Sequence, residues 1–248
     1  MISPADLQGH WRRNWLRAPG TEDLTTRVHW LQAGQWCADI RVPLSRPGLE
    51  AGGSLSDMAP SDLAILLSAE GFAGRVTLDG DLCTWHREWN WRGFPTPVDA
   101  GILRFDSFGR LVEDGAHSDY REEWQCVLTG PWIAEAVEAD GADGLLLSHD
   151  AGFVLALGQR GAPSWPGLPE ALRDGSASAE EASDVFASVY VLGHWSGEEG
   201  IADLSTQPFC EGHAVLSRRG DRAQLVLPNF HGRMVEQTLR LSEIPVNP

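Results

Sequence analysis

The densest run of chemically capable residues is 83–91, Cys-Thr-Trp-His-Arg-Glu-Trp-Asn-Trp. Side chains on a strand alternate between its two faces. Trp85, Arg87, Trp89 and Trp91 therefore share one face, and His86, Glu88 and Asn90 share the other. His86 two residues from Glu88 reads as an acid/base or metal pair, because a carboxylate orients an imidazole and raises its pKa. The competing reading is a polar surface face over an aromatic core face. A metal role needs a third ligand, and neither an HExxH nor a PCxxC pattern supplies one. No metal is assigned.

Two further runs carry charge among aromatic or apolar residues. In 119–125, Tyr120, Glu122 and Trp124 share a face, opposite Arg121, Glu123 and Gln125. A glutamate between Tyr and Trp either faces solvent with them or is held inward by a cation. Arg41 and Arg87 are the candidate cations, since arginine pairs bidentately with carboxylates. In 38–43, Asp39 and Arg41 share a face, opposite Ala38, Ile40 and Val42. Either pair of faces can be the inner one, because periodicity sets the faces and not their direction. Catalysis built from these residues would use His86 or Glu122 as general base. Tyr120 or Arg41 would then stabilise developing negative charge.

What the composition excludes is sharper. All 19 basic residues are arginine, so Schiff-base lysine chemistry and the P-loop and kinase lysines are ruled out. Acidic residues number 35 and the formal charge is −16. With basic runs no longer than pairs, this argues against nucleic acid and anionic membrane surfaces. No apolar stretch is long enough for a spanning helix. The start of the chain lacks a basic segment followed by an apolar one, so no secretory signal is read and the cytoplasm is expected. Cys37, Cys83, Cys126 and Cys210 form no CxxC pair and read as buried thiols. There is no GxSxG and no GxGxxG; Gly193-His-Trp-Ser-Gly197 holds its serine one place too late. His149, His194 and His213 are isolated and read as structural.

The elements that must position these residues are short alternating runs broken by glycine turns, the pattern of antiparallel β-structure. Hairpins are expected at 25–32/36–42, 75–78/82–91, 145–149/153–157 and 213–218/222–227. Further strands are expected at 102–105, 110–113, 120–128, 185–195 and 233–241. Helices are few: 62–70 after a Ser61 cap, ending at Gly71, and a weaker one at 180–188. Stretches 43–60 and 158–169 read as loops. The style repeats on both sides of 128–143. The expected fold is all-β, with residues 1–127 and 128–248 each closing into an antiparallel barrel that hides its sheet edges. Eight of the eleven tryptophans precede residue 125, so the first half is tryptophan-rich.

At these residues the chain resembles a known group. Trp30-Leu-Gln32, Ala38 to Pro43 with Arg46-Pro47, Glu70-Gly-Phe-Ala-Gly74, Cys83 to Glu88, Asp99-Ala-Gly101, Glu113-Asp-Gly115, Tyr120 to Trp124 and Ser205 to Gly212 resemble bacterial proteins of unassigned function. That group is similar, more distantly, to the fungal HRI family, named for interaction with a casein-kinase-type partner. The resemblance implies two lipocalin-like β-barrels side by side and brings no activity, cofactor or catalytic residue with it. The fungal partner is not carried over, since nothing in the sequence marks a kinase-binding surface.

Three functions compete. The first is binding of a small molecule in the N-terminal barrel. Trp30, Trp85 and Trp124 would enclose an apolar or planar body, with Asp39, Arg41 and Glu88 as polar contacts and Arg41 holding any anionic group. The second is a cofactor-free isomerase, lyase or hydrolase in the same cavity, using His86, Glu122 and Tyr120. The third is a structural or partner-binding protein with both barrels packed solid, which would show an exposed apolar patch. The sequence does not set the oligomeric state.

Overall fold

The computed structural model describes residues 2–47 and 53–246. The first half carries α1 (Pro4–Leu7), β1 (Gly9–Ala18), β2 (Thr21–Asp23), β3 (Thr26–Ala33), β4 (Trp36–Pro43), α2 (Pro60–Leu66), β5 (Glu70–Asp79), β6 (Leu82–Asn90), β7 (Asp99–Phe105), β8 (Leu111–Gly115) and β9 (Arg121–Leu128). Strand β1 pairs with both β3 and β9, which closes β1 and β3–β9 into a barrel with β2 attached to β1. The second half carries β10 (Ile133–Ala139), β11 (Ala142–His149), β12 (Gly152–Gly158), α3 (Leu168–Asp174), β13 (Val189–Ser196), β14 (Glu199–Ser205), β15 (Ala214–Arg219), β16 (Arg222–Pro228) and β17 (Met234–Glu243). These eight strands close through β10 and β17. Neighbouring strands in both barrels run antiparallel. The molecule is therefore all-β, two antiparallel barrels with a few short helices. Among the described residues no helix is long and apolar enough to cross a membrane.

Tight turns follow the glycines. Gly34 and Gly80 take φ of +56° and +63° between β3–β4 and β5–β6, a region only glycine enters without cost. The first barrel is plugged at the end where β1 begins. There Ile2 and Leu7 are buried, Trp11 Nε1 donates to the Leu7 carbonyl at 2.8 Å, and Gln8 bonds Gly34. At the other end, where β4 finishes and β5 starts, the Arg41 side chain is part-exposed.

Strands β3–β6 are buried on both faces. Val28, Trp30, Phe72 and Trp85 point into the barrel. Leu31, Ile40, Val42 and Trp89 point out, into a core shared with Leu145, Val154, Tyr190 and Leu192 of the second barrel. Each large apolar side chain buried this way contributes roughly 1.5–3 kcal/mol. The second barrel's own interior is mostly apolar, with Val137, Leu146, Phe153, Leu155, Val191 and Leu225, and its buried Glu135 is held by both Nη atoms of Arg218 at 2.8 Å.

Several expectations are corrected. The register of β5 against β6 slips between Ala73 and Gly74, so Glu88 is an extra residue in β6. This bulge ends the alternation. Trp85 and Arg87 lie on the inner face, while Trp89 and Trp91 pack into the shared core. A Cβ on Gly74 would lie 2.0 Å from the His86 carbonyl oxygen, so the bulge requires glycine there. Strands β1, β2, β10 and β14 lie outside the expected strands. Strand β1 is rich in arginine and bulged at Asn14, and β10 reads Ile-Ala-Glu-Ala-Val-Glu-Ala, a helix-favouring composition overridden by pairing. The first expected helix is shorter, Pro60–Leu66 after Ala59, because β5 already starts at Glu70. The second is two short 3-10 turns, Ala179–Ala182 and Val185–Ala187, so the expected strand at 185–195 starts only at Val189. Of the loop at 43–60, residues 48–52 lie outside the described residues.

Candidate functional site

The inner wall of the first barrel brings three expected tryptophans together. Trp30 sits edge-on to Trp85 and to Trp124, with ring centres 5.7 and 6.0 Å apart. All three are buried. Asp39 and Arg41 point inward from β4, and the alternate residues Ile40 and Val42 face the second barrel. Arg41 Nε donates to Asp39 Oδ1 at 2.7 Å and Nη2 to Oδ2 at 3.3 Å. Asp39 is sealed, with its side chain 2% exposed, whereas that of Arg41 is 24% exposed. Burial pushes the Asp39 carboxyl up from its ordinary value, and Arg41 opposes that shift.

Glu122 also points inward, but its cation is Arg13, not Arg41 or Arg87. Arg13 Nη1 meets Glu122 Oε1 at 2.7 Å, and its Nη2 pairs with Asp23. Arg87 instead pairs with Asp99 at 2.6 Å, bonds Asn90, and stacks 4.1 Å over the Phe72 ring. Arg13 lies on the unexpected strand β1, which is why the sequence pointed elsewhere.

Directly across from Glu122 in the β8–β9 register stands Glu113, a residue the sequence marked only inside a motif. Its carboxylate accepts from Tyr120 Oη at 2.7 Å and from Trp124 Nε1 at 3.2 Å. Both donors are neutral. Burial, and next the Glu122 charge, push Glu113 up to about 8. Burial raises Glu122 as well, against the opposing pull of Arg41 and Arg13. Two glycines make room: a Cβ on Gly101 would lie 2.7 Å from Glu113 Cγ, and one on Gly115 would meet the Tyr120 ring at 2.5 Å. The signal in the sequence was Leu111 and Glu113 on one face beside these glycines.

His86 and Glu88 do not join this group. His86 is exposed on the outer wall, its Nε2 2.8 Å from Thr77 Oγ1. Glu88, at the bulge, pairs outside with Arg75 and Arg160 at 2.7 Å each. The barrel wall separates both from Glu122, so the structure does not assemble a His86–Glu122 acid/base pair. It brings together Trp30, Asp39, Arg41, Trp85, Tyr120, Glu122 and Trp124. The remaining space between Trp30, Asp39, Arg41, Asp99, Glu113 and Trp124 is about 10 Å³ for the centre of a water-sized sphere. That is roughly one water. A planar body sandwiched by the tryptophans does not fit, because the rings fill the volume against one another.

Among the described residues no group of three His, Cys, Asp or Glu side chains stands where it could hold a metal ion. The four cysteines are unpaired; Cys37, Cys83 and Cys210 are buried, and Cys126 is only half-buried.

No family model and no curated protein matches the sequence. Among solved structures, the crystal structure of the uncharacterized protein YLR301w from Saccharomyces cerevisiae is similar over 96% of this chain and all of that one. The TM-score is 0.54 at 9% identity, a likeness of fold alone, and that fold is the two-barrel one.

Proposed function

We propose that the chain belongs to the bacterial group it resembles and acts in the cytoplasm as a lipocalin-like protein binding a small molecule at the end of its first barrel where Arg41 is part-exposed. The observation that carries this reading is the charged and aromatic cluster held there. Asp39, Glu113 and Glu122 are buried with Arg13 and Arg41 where apolar side chains would be less costly. Such groups persist where they have work to do, and a carboxyl with a strongly raised pKa in a cleft is a candidate for it. Arg41, part-exposed, is the group a ligand meets first. The one-water void admits one inserted polar group, such as a carboxylate or ammonium, while the rest of the ligand stays outside beside Arg41. The four free thiols support a reducing compartment.

The test uses acetate, benzoate and methylammonium as probes, followed by NMR of the arginine side chains, with native mass spectrometry for a co-purified molecule. Binding that shifts Arg41 and is lost in Arg41→Met supports the reading. Binding indifferent to Arg41→Met and Glu113→Gln overturns it. Cofactor-free acid–base chemistry at the same place is a second reading. The facing carboxyls favour it: Glu113, resting on neutral donors, is pushed up to about 8, and Glu122 across from it is held by a guanidinium. In that version Glu113 takes the role first given to His86.

A further inference from the structure

The strands turned away from the second barrel carry a groove that shares only Tyr120 with the interior network. It lies on the outer wall where β1, β7, β8 and β9 meet, and its volume is about 540 Å³. Small-molecule sites commonly span roughly 300–1,000 Å³. One flank is Trp15, with the Arg17 guanidinium 4.4 Å from its ring centre. Across from it, Arg104 and Arg121 grip the two oxygens of Asp114 from opposite sides, Arg121 Nε at 2.5 Å from Oδ1. Val112, Tyr120, Asp119, Ala18 and Pro19 complete the lining. Alternation along β8 explains the placement: Glu113 faces in and Asp114 faces out.

Charge sets the class of ligand. Arg104 and Arg121 share the one Asp114 carboxylate and leave one positive charge in excess between them, while Arg17 is already paired with Glu22 at 2.6 Å and Asp119 also lines the groove, on a chain whose formal charge is −16. Each guanidinium carries five N–H donors, and the Asp114 carboxylate engages only a few of them. The side chains of Arg104 and Arg121 are 45% and 54% exposed, so these ion pairs hold weakly and the unused donors face the groove. A polyanion would meet the acidic surface around the groove. A single negative charge on a flat ring matches both the excess and the aromatic flank.

We propose that this groove binds an aromatic monoanion, its ring against Trp15 and Tyr120 and its carboxylate on Arg104 and Arg121. The probe is naphthalene-2-carboxylate on the full chain, followed by calorimetry and quenching of tryptophan fluorescence. Saturable binding to one site is expected. The double variant R104Q/R121Q is expected to weaken it at least ~10-fold, the scale of a lost charge-assisted hydrogen bond. R222Q/R240Q, which removes the same charge from exposed positions on the second barrel, leaves it unchanged. Neutral naphthalene-2-methanol binds at least ~10-fold more weakly for the same reason. If R104Q/R121Q does not fold, Asp114→Asn decides the matter: it frees both arginines and is expected to tighten the probe. The proposal is overturned by absence of saturable binding at low salt. Equal loss in the charge-matched control, equal affinity for the neutral analogue, or no gain in Asp114→Asn overturns it too.

Discussion

Glu113 faces Glu122 across two paired strands and takes both its hydrogen bonds from neutral groups. Its proton affinity is raised on folding, from an ordinary 4.5 to about 8. Between those values the folded chain keeps a proton the unfolded chain has released, so stability falls as pH rises through that window. Glu113→Gln is expected to flatten the decline and to stabilise the protein near pH 8, by on the order of a few kcal/mol. Thermal unfolding followed from pH 5 to 8 checks this, and an unchanged slope would contradict it. Arg41→Met leaves Asp39 buried and unpaired, an expected loss of about 3–5 kcal/mol at neutral pH. Adding Asp39→Asn should recover much of that, as measured by denaturant unfolding. At this scale the sequence was partly legible. Tyr120, Glu122 and Trp124 share a face as their spacing says. Glu113 was hidden because its neighbour lies across the sheet and not along the chain. His86 was misplaced because alternation does not say which face turns inward.

At the scale of elements, the Glu88 bulge lets one strand serve two cores. Before it, Cys83 and Trp85 fill the first barrel; after it, Trp89 and Trp91 fill the space between barrels. Gly74 makes room for that slip. Gly74→Ala must push against the backbone of β6, not against a flexible side-chain tip, and is expected to cost about 3 kcal/mol or more. Unfolding of the variant by denaturant measures the loss; a change under about 0.5 kcal/mol, the size of an ordinary surface substitution, would show the bulge can move. Hairpins with glycine turns were legible because φ > 0 demands a residue type. The bulge was not, since it arises from pairing with β5. Strands β1 and β10 were obscured by compositions that favour other states and that only sheet closure overrides.

At the scale of the whole molecule, the two halves were legible and their union was not. The shared core joins Ile40, Val42, Trp89 and Trp91 to Phe186, Tyr190 and Leu192, and Trp91 sits edge-on to Phe186 and Tyr190 at 5.7 and 6.5 Å. Ile40 and Val42 alternate with Asp39 and Arg41, so a strand that reads as half polar is covered on both sides. Halves tied by such a core should unfold together. A single calorimetric transition is expected, and two separated ones would show the barrels to be independent. Trp91→Ala should lower stability by about 3–5 kcal/mol, as seen by denaturant unfolding.

The crossed rings of Trp30, Trp85 and Trp124 also give the first barrel its own optical signature. Indole transitions at these separations and inclinations couple and produce an exciton band in circular dichroism. That band is lost when the rings part, whatever the second barrel does. Light alone can therefore follow one half of the molecule, without a label.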